Sequence, residues 1–373
     1  MPSFSEYTLL PSLLSTLAKQ GLKEPTEIQA STIPPQLKGR SVVGVSETGS
    51  GKTLAYVLPV LHELKTLETE GDPVSAAGRP RALVLTPGRE LGEQVCKVFK
   101  GLTHDTRLRV RSVLGGTTKQ IARQNVGGLF EVLVATPGRL VQFLDSGQLR
   151  LDDVRVLVLD EADQLLDPGF LPTAQRVVRE SPPQARLAMF AATLPESLDG
   201  PLGELFATEP LRVRTRGSRH GVSTLRTDNQ TVSNGKRFEL LREVLLKDSS
   251  TGTLLFANTR GQCERLAEWL KDEGYAHASY MGQMESKERR ANLAAFRSGE
   301  VNLLVATDLG GRGLDIDRID RVINVHLPKD LDNYRHRSGR TARAGRSGLV
   351  VNLVTERDLP LIANLKKRED GRG

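Results

Sequence analysis

Ser46-Glu47-Thr48-Gly49-Ser50-Gly51-Lys52-Thr53 (SETGSGKT, 46–53) directly follows the apolar run SVVGV at 41–45. A glycine-rich turn between a buried strand and a helix is an anion cradle. Successive backbone N–H groups point inward, and the helix adds the positive end of its dipole. Lys52 supplies a mobile cation for terminal phosphates, and the Thr53 hydroxyl is a ligand for Mg²⁺. A second string, DEAD at 160–163, follows another strand-like run, VRVLVL at 154–159. A strand ending in Asp160 places its carboxylate beside the same metal, with Glu161 next in line to orient an attacking water. In this order, within about one domain length, these are the parts a nucleoside triphosphatase needs.

The surrounding chain repeats one pattern. Short apolar runs, among them ALVLT at 82–86, VLVAT at 132–136, NLLVAT at 302–307 and RVINV at 321–325, alternate with amphipathic stretches. That alternation predicts an α/β protein whose mostly parallel sheets carry helices on both faces. At 373 residues, two or three domains of ~150 residues are expected. The boundary falls in EPLRVRTRGSRHGVSTLR at 209–226, which has five Arg against one Glu and no long apolar run, and reads as an exposed linker. The expected division is a first domain over 1–208, a linker over 209–225 and a second domain over 226–373.

Charge is uneven across that boundary. The net +7 divides into −2 for residues 1–210 and +9 for residues 211–373, and a basic second half suits a polyanionic partner. Cys96 and Cys263 lie far apart in helix-like stretches with no metal-ligand spacing, which fits a reducing, cytoplasmic compartment. The N-terminus lacks the basic start and apolar core of a signal peptide. No run of ~20 apolar residues spans a membrane. Trp269, spaced with Leu266 and Leu270, reads as a core residue.

With its motifs in order, the chain resembles the DEAD-box RNA helicases of superfamily 2, from about Phe4 to about Val354. GLKEPTEIQ at 21–29 matches the family's Q motif, with Phe4 seventeen residues before Gly21. The resemblance implies that Gln29 reads the adenine edge, for which an amide has both donor and acceptor, and that Phe4 stacks on the ring. TPGREL at 86–91, Gly115-Gly116 and TPGR at 136–139 match motifs that grip RNA, with Gly88 where Thr is usual. Pro87, Arg89, Gly115, Gly116, Thr136, Pro137, Gly138 and Arg139 are the residues carried over. AAT at 191–193 stands where the family has SAT, so Ala191 lacks a hydroxyl in the motif that couples hydrolysis to strand separation. Asp163 and Thr193 share that coupling role.

The second half continues the likeness. TLLFANTR at 253–260 resembles motif IV. MGQMESKER at 281–289 resembles the HGxxxQxxR motif, with Met281 for His and Ser286 for Gln. Arg289 is retained as a phosphate contact. ATDLGGRGLDI at 306–316 resembles motif V, placing Thr307 at RNA and Asp308 at nucleotide. HRSGRTARAGR at 336–346 resembles motif VI, with Ser338 for Ile and Ala342 for Gly. The likeness implies that Arg340 and Arg343 are arginine fingers and that His336 and Arg337 bridge to the first domain. A finger is worth roughly 10³ to 10⁵ in rate.

The resemblance implies two tandem RecA-like domains and an ATP-dependent RNA helicase. Ser46, Thr48, Gly49, Ser50, Gly51, Lys52 and Thr53 would hold ATP. Thr53 and Asp160 would hold Mg²⁺, partly through water. RNA would be gripped by its backbone with little sequence preference, by a monomer whose targeting comes from protein partners. Lobe closure over both ligands would make their binding mutually reinforcing. Two other readings stay open: an ATP-gated RNA clamp with weak or no unwinding, and a DNA-directed motor of the same superfamily.

Overall fold

The computed structural model describes residues 3–47, 49–194, 205–215, 225–247, 250–282, 284–308, 316, 318–342 and 347–370. Thr48, Arg343 and residues 309–315 of the motif V stretch lie outside the described residues, as do 216–224 of the expected linker. The chain divides into two compact units, Met1–Arg219 and His220–Gly373.

The first unit is built on seven strands: β1 (Val42–Val45), β2 (Ala82–Leu85), β3 (Val110–Val113), β4 (Val132–Ala135), β5 (Val156–Asp160), β6 (Arg186–Ala191) and β7 (Leu211–Arg214). They lie in the order β3-β4-β2-β5-β6-β1-β7, and every pairing is parallel. Side chains alternate across a strand, and in the five central strands both faces are dry. Val42, Val84, Val134 and Val158 enter one core with the helices Pro11–Lys19, Glu27–Leu37, Lys52–Thr69 and Arg89–Leu102. Val43, Leu85, Leu133 and Leu159 enter another with Pro137–Asp145 and Leu171–Glu180. This is why the strands read as unbroken apolar runs and not as alternating ones. Gly44 breaks the run for a reason of space: a Cβ there would lie 2.7 Å from the Phe190 ring.

The second unit repeats the plan with β8 (Leu225–Thr231), β9 (Thr253–Phe256), β10 (His277–Tyr280), β11 (Leu303–Ala306), β12 (Arg321–Asn324) and β13 (Gly348–Val354). Their order is β10-β11-β9-β12-β13-β8, again all parallel. Trp269 is half-buried, stacked on Phe238 at a centroid distance of 5.1 Å. Cys96 and Cys263 are buried and unpaired, and burial raises their thiol pKa to about 11 and about 12. No helix among the described residues is long and apolar enough to cross a membrane.

One expectation needs correction. Residues 211–214 are not linker but an edge strand of the first sheet, in register with β1 from Val42↔Leu211 to Val45↔Arg214. Leu211 and Val213 pack against the core while Arg212 and Arg214 face outward. The period-two signal is real, but it is four residues long and two of those are arginines. Leu225, placed at the end of the same expected linker, begins β8.

Candidate nucleotide and nucleic-acid sites

Because every strand of the first sheet runs the same way, the segments following them lie along one edge. The strand order sorts these segments by chemistry. SETGSGKT, DEAD and AAT leave β1, β5 and β6, which are neighbours. TPGREL, the Gly115-Gly116 pair and TPGR leave β2, β3 and β4, the other half of the edge. Ligands of open α/β sheets bind at such carboxyl ends.

At β1 the turn depends on two glycines in the left-handed region, Gly49 at φ +82° and Gly51 at φ +90°. At Gly51 a Cβ would stand 2.4 Å from Gln29 Nε2. Gly51 caps the helix Lys52–Thr69, so its first N–H groups face the turn. Ser46 is buried, and its hydroxyl accepts a 2.8 Å hydrogen bond from Thr215 Oγ1. Lys52 Nζ donates to the carbonyls of Ser46 (2.6 Å) and Glu47 (2.8 Å). The Ser50 hydroxyl is buried without a hydrogen-bond partner among the described residues. A cation lying on backbone carbonyls beside an unsatisfied hydroxyl suits a polyanionic ligand.

Gln29 is buried one layer behind. Its Oε1 accepts from Thr26 N–H at 2.9 Å and its Nε2 donates to Gly51 C=O at 2.9 Å. The expected adenine reader is therefore also a brace of the phosphate turn. An amide carries two protons and two lone pairs, so one of each remains. Phe4 is 3 % exposed, edge-on to Tyr7 at 6.1 Å and joined to the first core. It lies packed rather than presented.

At β5, Asp160 is 3 % exposed. Its Oδ2 accepts from Tyr56 O–H at 2.7 Å and its Oδ1 from Glu161 N–H at 3.0 Å. Burial pushes its carboxyl pKa up to about 6, with the Tyr56 hydrogen bond pulling the other way. Glu161 sits at φ +50°, a left-handed conformation that is strained for a side chain of this size. Its Oε2 accepts from Gln164 Nε2 at 2.6 Å. Among the described residues no three His, Cys, Asp or Glu converge as a metal cage. One carboxylate and one hydroxyl suit Mg²⁺, which keeps waters and phosphate oxygens as its other ligands.

The link from DEAD to β6 survives the missing hydroxyl of Ala191. Asp163 Oδ2 accepts from Ala192 N–H (3.2 Å), Thr193 N–H (3.1 Å) and Thr193 Oγ1 (3.4 Å). On the other half of the edge, Thr136 Oγ1 accepts from Gly115 N–H at 3.0 Å. Arg139 donates to Thr117 C=O and, at 2.9 Å, to Gln142. Arg89 pairs with Glu93 at 2.7 Å. Thr136 and Pro137 are buried and Pro87 is half-buried, while Gly116 and Gly138 are exposed. The loop backbone is what this region offers to a partner.

In the second unit Arg289 lies over the Tyr280 ring at 5.5 Å, and Thr307 is half-buried. Arg340 is 3 % exposed, with Nε donating to His336 C=O at 3.0 Å. Arg337 is 1 % exposed, and its five N–H groups donate to Asp308 Oδ1 and Oδ2, Asn324 Oδ1, His326 C=O and Asn258 Oδ1. Five is all a guanidinium has. Arg337 is an internal brace of the second unit, and Asp308 is its counter-ion. Tyr56, Gln164, Thr215 and Asn324 escaped the sequence reading. Only Gln164 left a signal, three residues after Glu161 on a helical turn.

A family model described as DEAD/DEAH box helicase matches residues 26–200, and one described as helicase conserved C-terminal domain matches 236–345. The ATP-dependent RNA helicase SrmB of Haemophilus influenzae is 35% identical over 375 residues, covering 98% of this chain and 83% of that protein. The ATP-dependent RNA helicase RhlB of Pseudomonas aeruginosa is 35% identical over 373 residues, covering 98% and 93%. Among solved structures, S. cerevisiae Dbp5 bound to RNA and ADP BeF3 matches with a TM-score of 0.84 at 26% identity, covering 98% of this chain and 93% of that one. The two parallel sheets are accordingly tandem RecA-like domains, and the chain belongs to the DEAD-box ATP-dependent RNA helicases, enzymes that hydrolyse ATP.

Proposed function

We propose that this helicase couples Mg²⁺-dependent ATP hydrolysis to local separation of short RNA duplexes or remodelling of RNA–protein particles. The observation that carries the reading is the single sheet edge on which a phosphate turn and a carboxylate strand adjoin three glycine- and arginine-bearing loops. Gly49, Ser50, Gly51 and Lys52 receive the phosphates, with Ser46 shaping the turn. Thr48, in the same turn, is assigned by its place in the motif. Gln29 offers its remaining proton and lone pair to adenine, and Phe4 turns to the ring once nucleotide is bound. Asp160 and Thr53 would hold Mg²⁺, which would supply charge neutralisation at the phosphates. Glu161, oriented by Gln164, aligns the attacking water.

Turnover needs residues of both units: Arg340 and Arg343 neutralise the transition state, and Asp308 and Arg337 keep motif VI in shape. RNA is held through phosphates and 2′-hydroxyls by Pro87, Arg89, Gly115, Gly116, Thr136–Arg139, Arg289 and Thr307. Asp163, Thr193 and His336 relay the hydrolysis state. The first domain extends through β7 to Arg214 and the second begins with β8 at Leu225, around a short connection. The enzyme works in the cytoplasm as a monomer, directed to its targets by protein partners.

Glu161→Gln tests the assignment. ATP binding should persist while RNA-stimulated ATP release of phosphate falls by at least about a hundredfold. Normal turnover in this variant would refute the role of Glu161. Strand displacement with RNA and DNA duplexes side by side reads the substrate: DNA activating as well as RNA would overturn the RNA assignment. Engagement of about five phosphates predicts that log affinity falls with log salt at a slope of roughly −3 to −4.

A further inference from the structure

Tyr56 lies one turn after Thr53 in the helix Lys52–Thr69 and is completely buried. Its ring packs against Phe99 and Phe190, with centroids at 6.5 and 5.5 Å. A phenylalanine would fill that slot equally well, so the hydroxyl needs its own explanation. It reaches Asp160 Oδ2 at 2.7 Å, donating the phenolic proton to the carboxylate.

That bond leaves free lone pairs on Asp160 where a cation needs them. A carboxylate has about four acceptor positions. Glu161 N–H takes one on Oδ1 and Tyr56 takes one on Oδ2, leaving one on each oxygen. The terminal torsion of an aspartate is broad, and two donors at opposite oxygens fix it. We propose that Tyr56 is a positioning residue whose hydroxyl, together with the Glu161 N–H, orients the Asp160 carboxylate for Mg²⁺ before nucleotide arrives. The inference rests on the reading that Thr53 and Asp160 hold that ion.

Tyr56→Phe removes the hydroxyl and keeps the ring. The measurement is binding of a fluorescent ADP analogue as a function of Mg²⁺ concentration, without RNA or turnover, with folding followed by thermal unfolding. The Mg²⁺ midpoint should rise by about tenfold, the size of one buried hydrogen bond to a charged group. Affinity for the analogue without Mg²⁺ should change less than about twofold, a split that a general packing defect would not give. Tyr56→Met, which also fills the slot without a hydroxyl, should show the same rise. In an Asp160→Asn background, Tyr56→Phe should add no further shift. Equal midpoints in wild type and both variants would overturn the proposal. A wild-type protein whose nucleotide binding ignores Mg²⁺ would overturn the metal reading on which it rests.

Discussion

Lys52 and Arg337 are both buried cations at the carboxyl ends of parallel strands, yet they are held in opposite ways. Lys52 rests on two backbone carbonyls of its own turn, neutral acceptors that a phosphate readily replaces. Arg337 gives every proton it has to fixed acceptors, two of them on a carboxylate, and lies over the Phe256 ring at 5.0 Å. A charge that must meet a ligand is held on neutral carbonyls of its own turn. A charge that organises a fold is locked by strong partners. Sequence motifs mark both residues as functional, and only the partners distinguish the roles.

The comparison breaks most sharply on activity. Lys52→Ala should abolish RNA-stimulated ATP turnover, a loss of at least about a thousandfold, while thermal unfolding shifts little. A large fall in unfolding temperature would instead make Lys52 a brace like Arg337. Arg337→Met should do the converse to stability. It leaves Asp308 without its partner and should cost about 3 kcal/mol, read by urea unfolding of the second unit. A change under ~1 kcal/mol would show that the five bonds are dispensable.

Smaller effects sharpen the contrast. Arg337 ends a ladder of amides across the second sheet: Asn324 donates to Asn352 at 2.8 Å, and Asn352 to Asn229 at 2.7 Å, with the strand register aligning all three. Asn352→Leu strands a buried amide and should cost about 1–3 kcal/mol. Ala342, where the family keeps Gly, stands at φ +56°. Ala342→Gly should relieve that strain and raise stability by up to about 1 kcal/mol; an unchanged or lower midpoint would show that the turn is not strained.

His326 extends the comparison to pH. Burial first, then the guanidinium groups of Arg237, Arg265 and Arg337, push its pKa down to about 4, with Asp358 opposing them. The imidazole stays neutral in the fold while the unfolded chain takes up a proton near pH 6.5. Stability from this group is therefore complete above pH 6.5 and is lost as pH falls through about 4. His326→Gln should flatten the decline between pH 7 and 5. An undiminished slope would move the effect to another group.

The legible parts were those whose chemistry is carried by backbone spacing. SETGSGKT and DEAD each need a strand before them and a turn within them, and both demands leave marks in sequence. The central strands of both sheets were legible for the same reason, since strands buried on two faces are mostly apolar. What escaped were side chains whose role depends on a partner far along the chain. Tyr56 reads as one more aromatic on a helix, and its acceptor lies 104 positions on. Asn324 and Asn352 read as breaks in apolar strands, because nothing local says that they face one another. The short β7 was hidden by its two arginines, although Leu211 and Val213 carried the alternation.

That strand has a mechanical consequence. β7 runs beside β1 to the very lip of the phosphate turn, where Thr215 donates to Val45 C=O and to the Ser46 hydroxyl. The edge strand of the first sheet therefore ends at the nucleotide cradle, where one hydroxyl pair ties Thr215 to Ser46, so a substitution at Thr215 acts on the phosphate turn without touching a motif.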